Sequence, residues 1–290
     1  MNSLVVQANC HRVVKLSGVL QEFAPMSECV ENVHGIREAY LMEGERRRLS
    51  MATVTTGNTK QRRAYFIGKL LWAKGFDQLL ELEATFRERT GEYLQMDIFG
   101  SGPDECEIKR AFSAVGISGG TEGSSRIFTR LNTWGGESSR TNNKRRSCLP
   151  VNFMGKSDHL SVAGDDYSIF INPSLTEVLC TTTAEAIAMG KWAIIPKHPS
   201  NAFFVQFPNC LSYRNRREFV STVKYALIND PPPLSYQQAQ LLSWEEATVR
   251  CIKSAAISKR ASARKARLTK AKEDKTLKKT LSGLLSGDPK

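Results

Sequence analysis

Short apolar runs recur along the chain from Ala64 onward: Tyr65-Phe66-Ile67, Leu94 to Phe99, Val151 to Met154, Tyr167 to Ile171, Trp192 to Ile195 and Leu211 to Tyr213. Runs of this length without strict alternation are expected of strands buried on both faces of a parallel sheet. Between them the period changes. Phe76, Leu79, Leu80 and Phe86 share one face of a helix predicted over about 76–89. Phe219, Val220, Val223, Leu227 and Ile228 do the same before Pro231-Pro232-Pro233 stops the run. Another helix is expected over about 104–114, and Ser243 with Glu246 reads as a capping box opening a last helix through about Ile252. Strands alternating with helices predict an α/β domain with a doubly wound parallel sheet, covering residues 64–252.

Three stretches lack this pattern. Residues 115–150 are rich in Gly, Ser, Thr, Asn and Arg and stand where about 2–6 residues ordinarily connect a helix to a strand. They read as a disordered insertion or a gene-model artefact, with a lid as the functional alternative. Residues 253–290, dominated by Lys, Arg, Ala and Ser, read as a basic disordered tail. Residues 46–63, with Arg46-Arg47-Arg48 and Thr55-Thr56-Gly57-Asn58, read as a linker after a separate N-terminal piece, 1–45.

Charge follows the same division. The formal net charge is +12, and residues 253–290 carry twelve basic side chains against three acidic ones. Residues 116–150 carry six against two, which leaves the patterned part close to neutral. The seven cysteines are scattered, with no Cys-x-x-Cys pair, and the four histidines are not at metal-ligand spacings. Reduced thiols and no bound metal are expected. No apolar run approaches the roughly 18–20 residues that span a bilayer. The first forty-five residues, broken by Glu22, Glu28, Glu31, Glu38 and Glu43, fit neither a signal nor a transit peptide.

Three segments carry candidate chemistry. In Tyr65-Phe66-Ile67-Gly68-Lys69 followed by Lys74-Gly75, a strand ends in a glycine that admits a ligand to the backbone, and two lysines flank the turn into a helix. The arrangement suits a diphosphate; the alternative is a strand end with two solvated lysines. Phe99-Gly100-Ser101-Gly102-Pro103 is a second glycine turn at the same predicted sheet edge, where open α/β folds bind ligands. The third segment runs from Pro173 to Gly190: a polar loop with Glu177, then Val178-Leu179-Cys180-Thr181-Thr182-Thr183, then a short helix bearing Glu185. Seven residues separate the two carboxylates. One can reach the hydroxyls of a sugar and the other those of a ribose, with amides and Thr hydroxyls between them facing phosphates. Taken singly, each would also suit a solvated surface acid.

In this order the motifs resemble the C-terminal Rossmann-like domain of retaining GT-B glycosyltransferases of family four. Within that family, Gly68-Lys69-Leu70-Leu71-Trp72-Ala73-Lys74-Gly75, Val178 to Ala186, His198-Pro199-Ser200-Asn201 and Phe207-Pro208-Asn209-Cys210 are similar to the digalactosyldiacylglycerol synthases of plants and algae. Most of the wider family has glycines where Val178 and Cys180 stand. Residues 10–17 and 32–36 resemble the end of the first domain and the interdomain connector, so most of the N-terminal domain is expected to be missing. The resemblance covers roughly 8–43, 64–114 and 151–252.

What the resemblance implies is transfer of galactose from UDP-galactose to monogalactosyldiacylglycerol, giving digalactosyldiacylglycerol with retained anomeric configuration. Lys69 and Lys74 would neutralise the diphosphate and Glu177 would hold galactose hydroxyls, the three forming the catalytic set. Gly68, Gly100 and Gly102 would line the donor, the amides of Leu179, Cys180, Thr181 and Thr182 would meet the phosphates, and Glu185 the ribose. No metal or cofactor is implied beyond the donor itself, and location would be peripheral, on the chloroplast outer envelope. A reading from another class makes the chain a non-catalytic UDP-sugar-binding remnant, recruited through its basic tail to an anionic membrane or a nucleic acid. The tail has almost no aromatic residues for base stacking, so no specific nucleic acid is expected.

Overall fold

The computed structural model describes residues 12–20, 27–53, 62–115, 151–162, 164 and 166–256, with scattered helical positions between 263 and 275. The segment 116–150 and most of the tail lie outside the described residues.

Six strands form one parallel sheet: β3 (Arg63–Ile67), β4 (Met96–Phe99), β5 (Val151–Gly155), β6 (Tyr167–Ile171), β7 (Trp192–Pro196) and β8 (Cys210–Tyr213). Each falls on the run predicted for it, with β4 starting two residues later than its run, at Met96. Their spatial order is β5-β4-β3-β6-β7-β8, so the winding reverses between β3 and β6. Such a reversal opens a crevice at the carboxyl ends of the two strands, since the connections leave them toward opposite faces. The loops that follow β3 and β6 are the ones carrying Lys69, Lys74 and Glu177.

Side chains of successive strand residues point to opposite faces, and both faces of the four inner strands are dry, whereas alternate residues of the edge strand β5 are exposed. Ala64, Phe66, Met96, Ile98, Ile169, Ile171, Trp192 and Ile194 face one core, closed by α2 (Phe76–Thr90), α3 (Glu105–Val115) and α6 (Arg216–Ile228). Tyr65, Ile67, Phe170, Ala193 and Ile195 face the other, closed by α5 (Thr181–Ala188), Ile36 and Tyr40. Further helices are α4 (His159–Val162), α7 (Tyr236–Gln240) and α8 (Trp244–Ala255).

A two-stranded parallel pair, β1 (Arg12–Lys15) with β2 (Ser27–Val30), packs against α8. From it residues 31–36 cross the start of α8. The Ile36 amide bonds Leu242 O at 2.9 Å, and a Cβ on Gly35 would lie 2.5 Å from Trp244 Cα.

One expected boundary is corrected. The helix α1 spans Glu38–Thr53, so residues 46–53 continue a helix instead of starting a linker. The arginine run resembles a solvated stretch, but Glu43 and Glu45 pair with Arg46 and Arg48 three residues on, at 2.7 and 2.5 Å. α1 lies against α5, and Gly44 permits it: a Cβ there would stand 1.9 Å from Ala188 O.

Candidate donor site at the sheet crevice

The loop after β3 is built on glycine. Gly68 N donates to Phe99 O at 3.0 Å and Leu70 N to Ser101 O at 3.1 Å, which stitches this loop to the one after β4. A Cβ on Gly100 would fall 1.8 Å from Gly68 O, and one on Gly102 2.2 Å from Leu70 O. Both glycines therefore allow backbone to lie on backbone. Lys69, between the stitches, projects its side chain into solvent.

A one-turn 3₁₀ segment, Trp72–Lys74, follows, and Gly75 closes it in the left-handed region at φ +86°. Any Cβ at Gly75 would collide with Pro173 C and O at 2.8 Å. The β3 and β6 loops thus touch at this glycine. Thr176 Oγ1 and Ser174 Oγ donate to Ala73 O at 2.5 and 3.3 Å, and Asn172 Oδ1 accepts from Ser174 N at 3.1 Å. This web brings Lys74 and Glu177 together, with Nζ 2.5 Å from Oε1 across 103 positions of sequence. Their side chains are 31% and 15% exposed, so the pair borders the crevice without being sealed in.

Glu177 is followed by α5. Its N-cap residue, Cys180, makes no side-chain cap, and the positive end of the helix dipole lies beside the loop that carries Glu177. The Cys180 thiol is buried, its pKa raised chiefly by that burial, and lies 3.1 Å from Thr182 Oγ1. Thr183 is buried against Asn172 Nδ2 at 3.3 Å, whereas Thr181 is exposed.

Glu185, one turn on, does not pair with a lysine. Its Oε2 meets His159 Nδ1 at 2.7 Å, and His159 Nε2 meets Tyr65 Oη at 2.8 Å. His159 is 4% exposed, and burial lowers its pKa below the usual 6.5, against the opposing pull of Glu185. Burial likewise holds the Tyr65 hydroxyl well above its usual 10. A neutral ring beside a carboxylate donates from Nδ1, which leaves Nε2 to accept the phenolic proton. The sequence singled out neither His159 nor Tyr65. The Asp158-His159 pair after β5 is the one local trace of this role, and it becomes meaningful only once α4 is seen against α5.

The crevice thus gathers Lys69, Lys74, Glu177, the open end of α5 and Glu185 at one sheet edge. Among the described residues no group of three or more His, Cys, Asp or Glu could hold a metal ion, and no helix is long and apolar enough to cross a membrane.

The fold is that of the parallel α/β domain of GT-B glycosyltransferases. Sucrose-phosphate synthase from Thermosynechococcus elongatus superposes with a TM-score of 0.52 at 16% identity, over 87% of this chain and 60% of that one. No protein-family model matches the chain. By sequence it is a partial match to the digalactosyldiacylglycerol synthases. It is 38% identical to digalactosyldiacylglycerol synthase 1, chloroplastic, of Glycine max over 254 residues, covering 86% of this chain and 27% of that protein. With digalactosyldiacylglycerol synthase 2, chloroplastic, of Arabidopsis thaliana it shares 37% over 257 residues, covering 87% and 46%. The chain therefore spans between a quarter and a half of the length of these curated relatives.

Proposed function

We propose that the chain supplies the donor-binding part of a galactolipid galactosyltransferase, which moves galactose from UDP-galactose to monogalactosyldiacylglycerol with its anomeric configuration retained. The observation that carries this reading is the meeting of Lys74, Glu177 and the uncapped start of α5 at the crevice between β3 and β6. Lys74 and Lys69 offer two cations to a departing diphosphate, and the α5 amides add oriented donors that need no reorganisation as charge develops. Glu177 keeps one oxygen free of protein partners among the described residues and faces sugar hydroxyls with it. Glu185 takes the ribose. Gly68, Gly100 and Gly102 keep the floor of the site bare, and the amides of Leu179, Cys180, Thr181 and Thr182 line its phosphate end.

Orientation does the rest. A donor gripped at ribose, diphosphate and sugar presents its anomeric carbon in one pose, which replaces a costly encounter by a prepared one. The relatives are named as chloroplastic, and we propose a peripheral position on the chloroplast outer envelope for the protein that contains this chain.

The test is a calorimetric titration of UDP-galactose into the chain and its Glu185→Ala and Lys74→Ala variants, with radiolabelled galactose transfer to monogalactosyldiacylglycerol measured alongside. Weaker binding in both variants is expected. Unchanged affinity in folded Glu185→Ala would remove the donor-site assignment.

A further inference from the structure

Resting on that donor-site reading, we infer that His159 is a positioning residue: it fixes the Glu185 carboxylate in the one orientation that presents its remaining oxygen to the ribose hydroxyls. His159 opens α4, a single turn after β5, and sits in a cage of Tyr40, Tyr65 and Phe170 with ring centroids 6.0, 5.6 and 5.9 Å away. The turn itself is pinned from two sides. Asp158 Oδ1 accepts from Leu160 N at 2.8 Å, and Arg37 Nη2, from the segment leading into α1, pairs with Asp158 at 3.1 Å.

A glutamate on a helix surface ordinarily samples several rotamers, and ordering it on binding weakens the ligand by the entropy lost. Here Nδ1–H removes that freedom beforehand. It engages Oε2 alone, and Oε1 has no partner among the described residues. Tyr65 Oη completes the device. By donating to Nε2 it holds the proton of the neutral ring on Nδ1, where it faces the carboxylate. The opposite tautomer would turn a lone pair toward Glu185 and repel it. A carboxylate held by one oxygen can offer the other to the two adjacent hydroxyls of a ribose, so the pair selects for a nucleotide that carries both.

The discriminating measurement is the affinity ratio between UDP and 2′,3′-dideoxy-UDP, because a merely structural role would lower both affinities together. The wild-type chain is expected to prefer UDP by about tenfold. In His159→Leu the ratio should fall toward one. His159→Asn, which returns an N–H near the Nδ1 position, should restore most of it, and Tyr65→Phe should give an intermediate value. A His159→Leu chain that melts cooperatively and keeps the wild-type ratio overturns the inference. If His159→Leu does not fold, Tyr65→Phe decides alone, and a wild-type ratio there overturns it equally. Failure of the underlying reading looks different: Glu185→Ala would leave UDP affinity unchanged, or the wild-type chain would bind both nucleotides alike.

Discussion

The two ends of the sheet handle their carboxylates in opposite ways. At the amino ends of the strands, Asp97 is 1% exposed and has both oxygens engaged. Oδ1 accepts from Asn152 Nδ2 at 2.8 Å, while Oδ2 meets Tyr167 Oη and Arg63, each at 2.5 Å. At the carboxyl ends, Glu177 and Glu185 each have one oxygen committed to a protein partner and, among the described residues, one left over. A carboxylate whose capacity is filled by its own fold stabilises that fold; one held by half of its capacity is fixed in place and still able to bind. Glu83, buried within α2, marks the limit of the series: no charged partner reaches it among the described residues, and burial pushes its carboxyl up to about 8.

The contrast breaks first at Asp97. Replacing it with Ala strands Arg63, Tyr167 and Asn152 together and should cost about 3–4 kcal/mol in guanidinium unfolding. UDP affinity of the folded protein should stay as it was. A loss below about 1 kcal/mol would show that the filled carboxylate contributes little to the fold.

Glu83 tests the unpartnered extreme through pH. Its folded value of about 8 stands above the ordinary 4.5 of an unfolded chain, so in that window the unfolded state has released a proton that the folded state retains. Stability is then fully present below about pH 4.5 and declines as pH rises toward about 8. Glu83→Leu should remove this slope and raise stability at pH 8 by on the order of 2–4 kcal/mol, read from urea midpoints across pH.

Glu185→Gln sharpens the other side. Its amide oxygen can still accept from His159 Nδ1–H, so unfolding free energy should move by less than about 1 kcal/mol while UDP affinity drops about tenfold. The smallest stability change is expected at Lys74→Met. The ion pair it removes is partly exposed, so stability should shift by about 0.5 kcal/mol or less, and the preference for UDP over uridine should fall about tenfold.

Much of the fold was legible because its inner strands are buried on both faces, which writes them as uninterrupted apolar runs such as Trp192 to Ile195. The loops of the candidate site were legible for a related reason: glycines, lysines and a polar break between two such runs are local signals. What escaped notice depends on distance in sequence. His159 lies 26 positions from Glu185, and Tyr65 lies 94 from His159. On its strand Tyr65 is one more core aromatic, and nothing local marks its hydroxyl as spoken for. Glu185 was expected to meet a ribose, and no local signal marked the histidine that holds it.

Helix ends show the same limit. Ser243 Oγ does accept from Glu246 N at 3.2 Å, but the reciprocal box closes one helix earlier, between Ser235 and Gln238, in a five-residue helix too short to announce itself by period. Glu83 was readable in hindsight, since it falls on the same helical face as Leu79 and Phe86. For α1, the charges of Arg46, Arg47 and Arg48 hid a helix that packing on α5 secures.

The glycine contacts at the crevice restrict how such a protein can diverge. Side chains at Gly75, Gly100 and Gly102 would each run into main chain, with positive φ of +86° and +139° adding to the obstacle at the first two. Changes at the candidate site therefore have few places in which to arise. They must accumulate in the stretch from Leu175 to Leu179, whose side chains are exposed or half-buried, or in the helix end that follows it. The floor of the crevice is inherited whole, and novelty is confined to one wall.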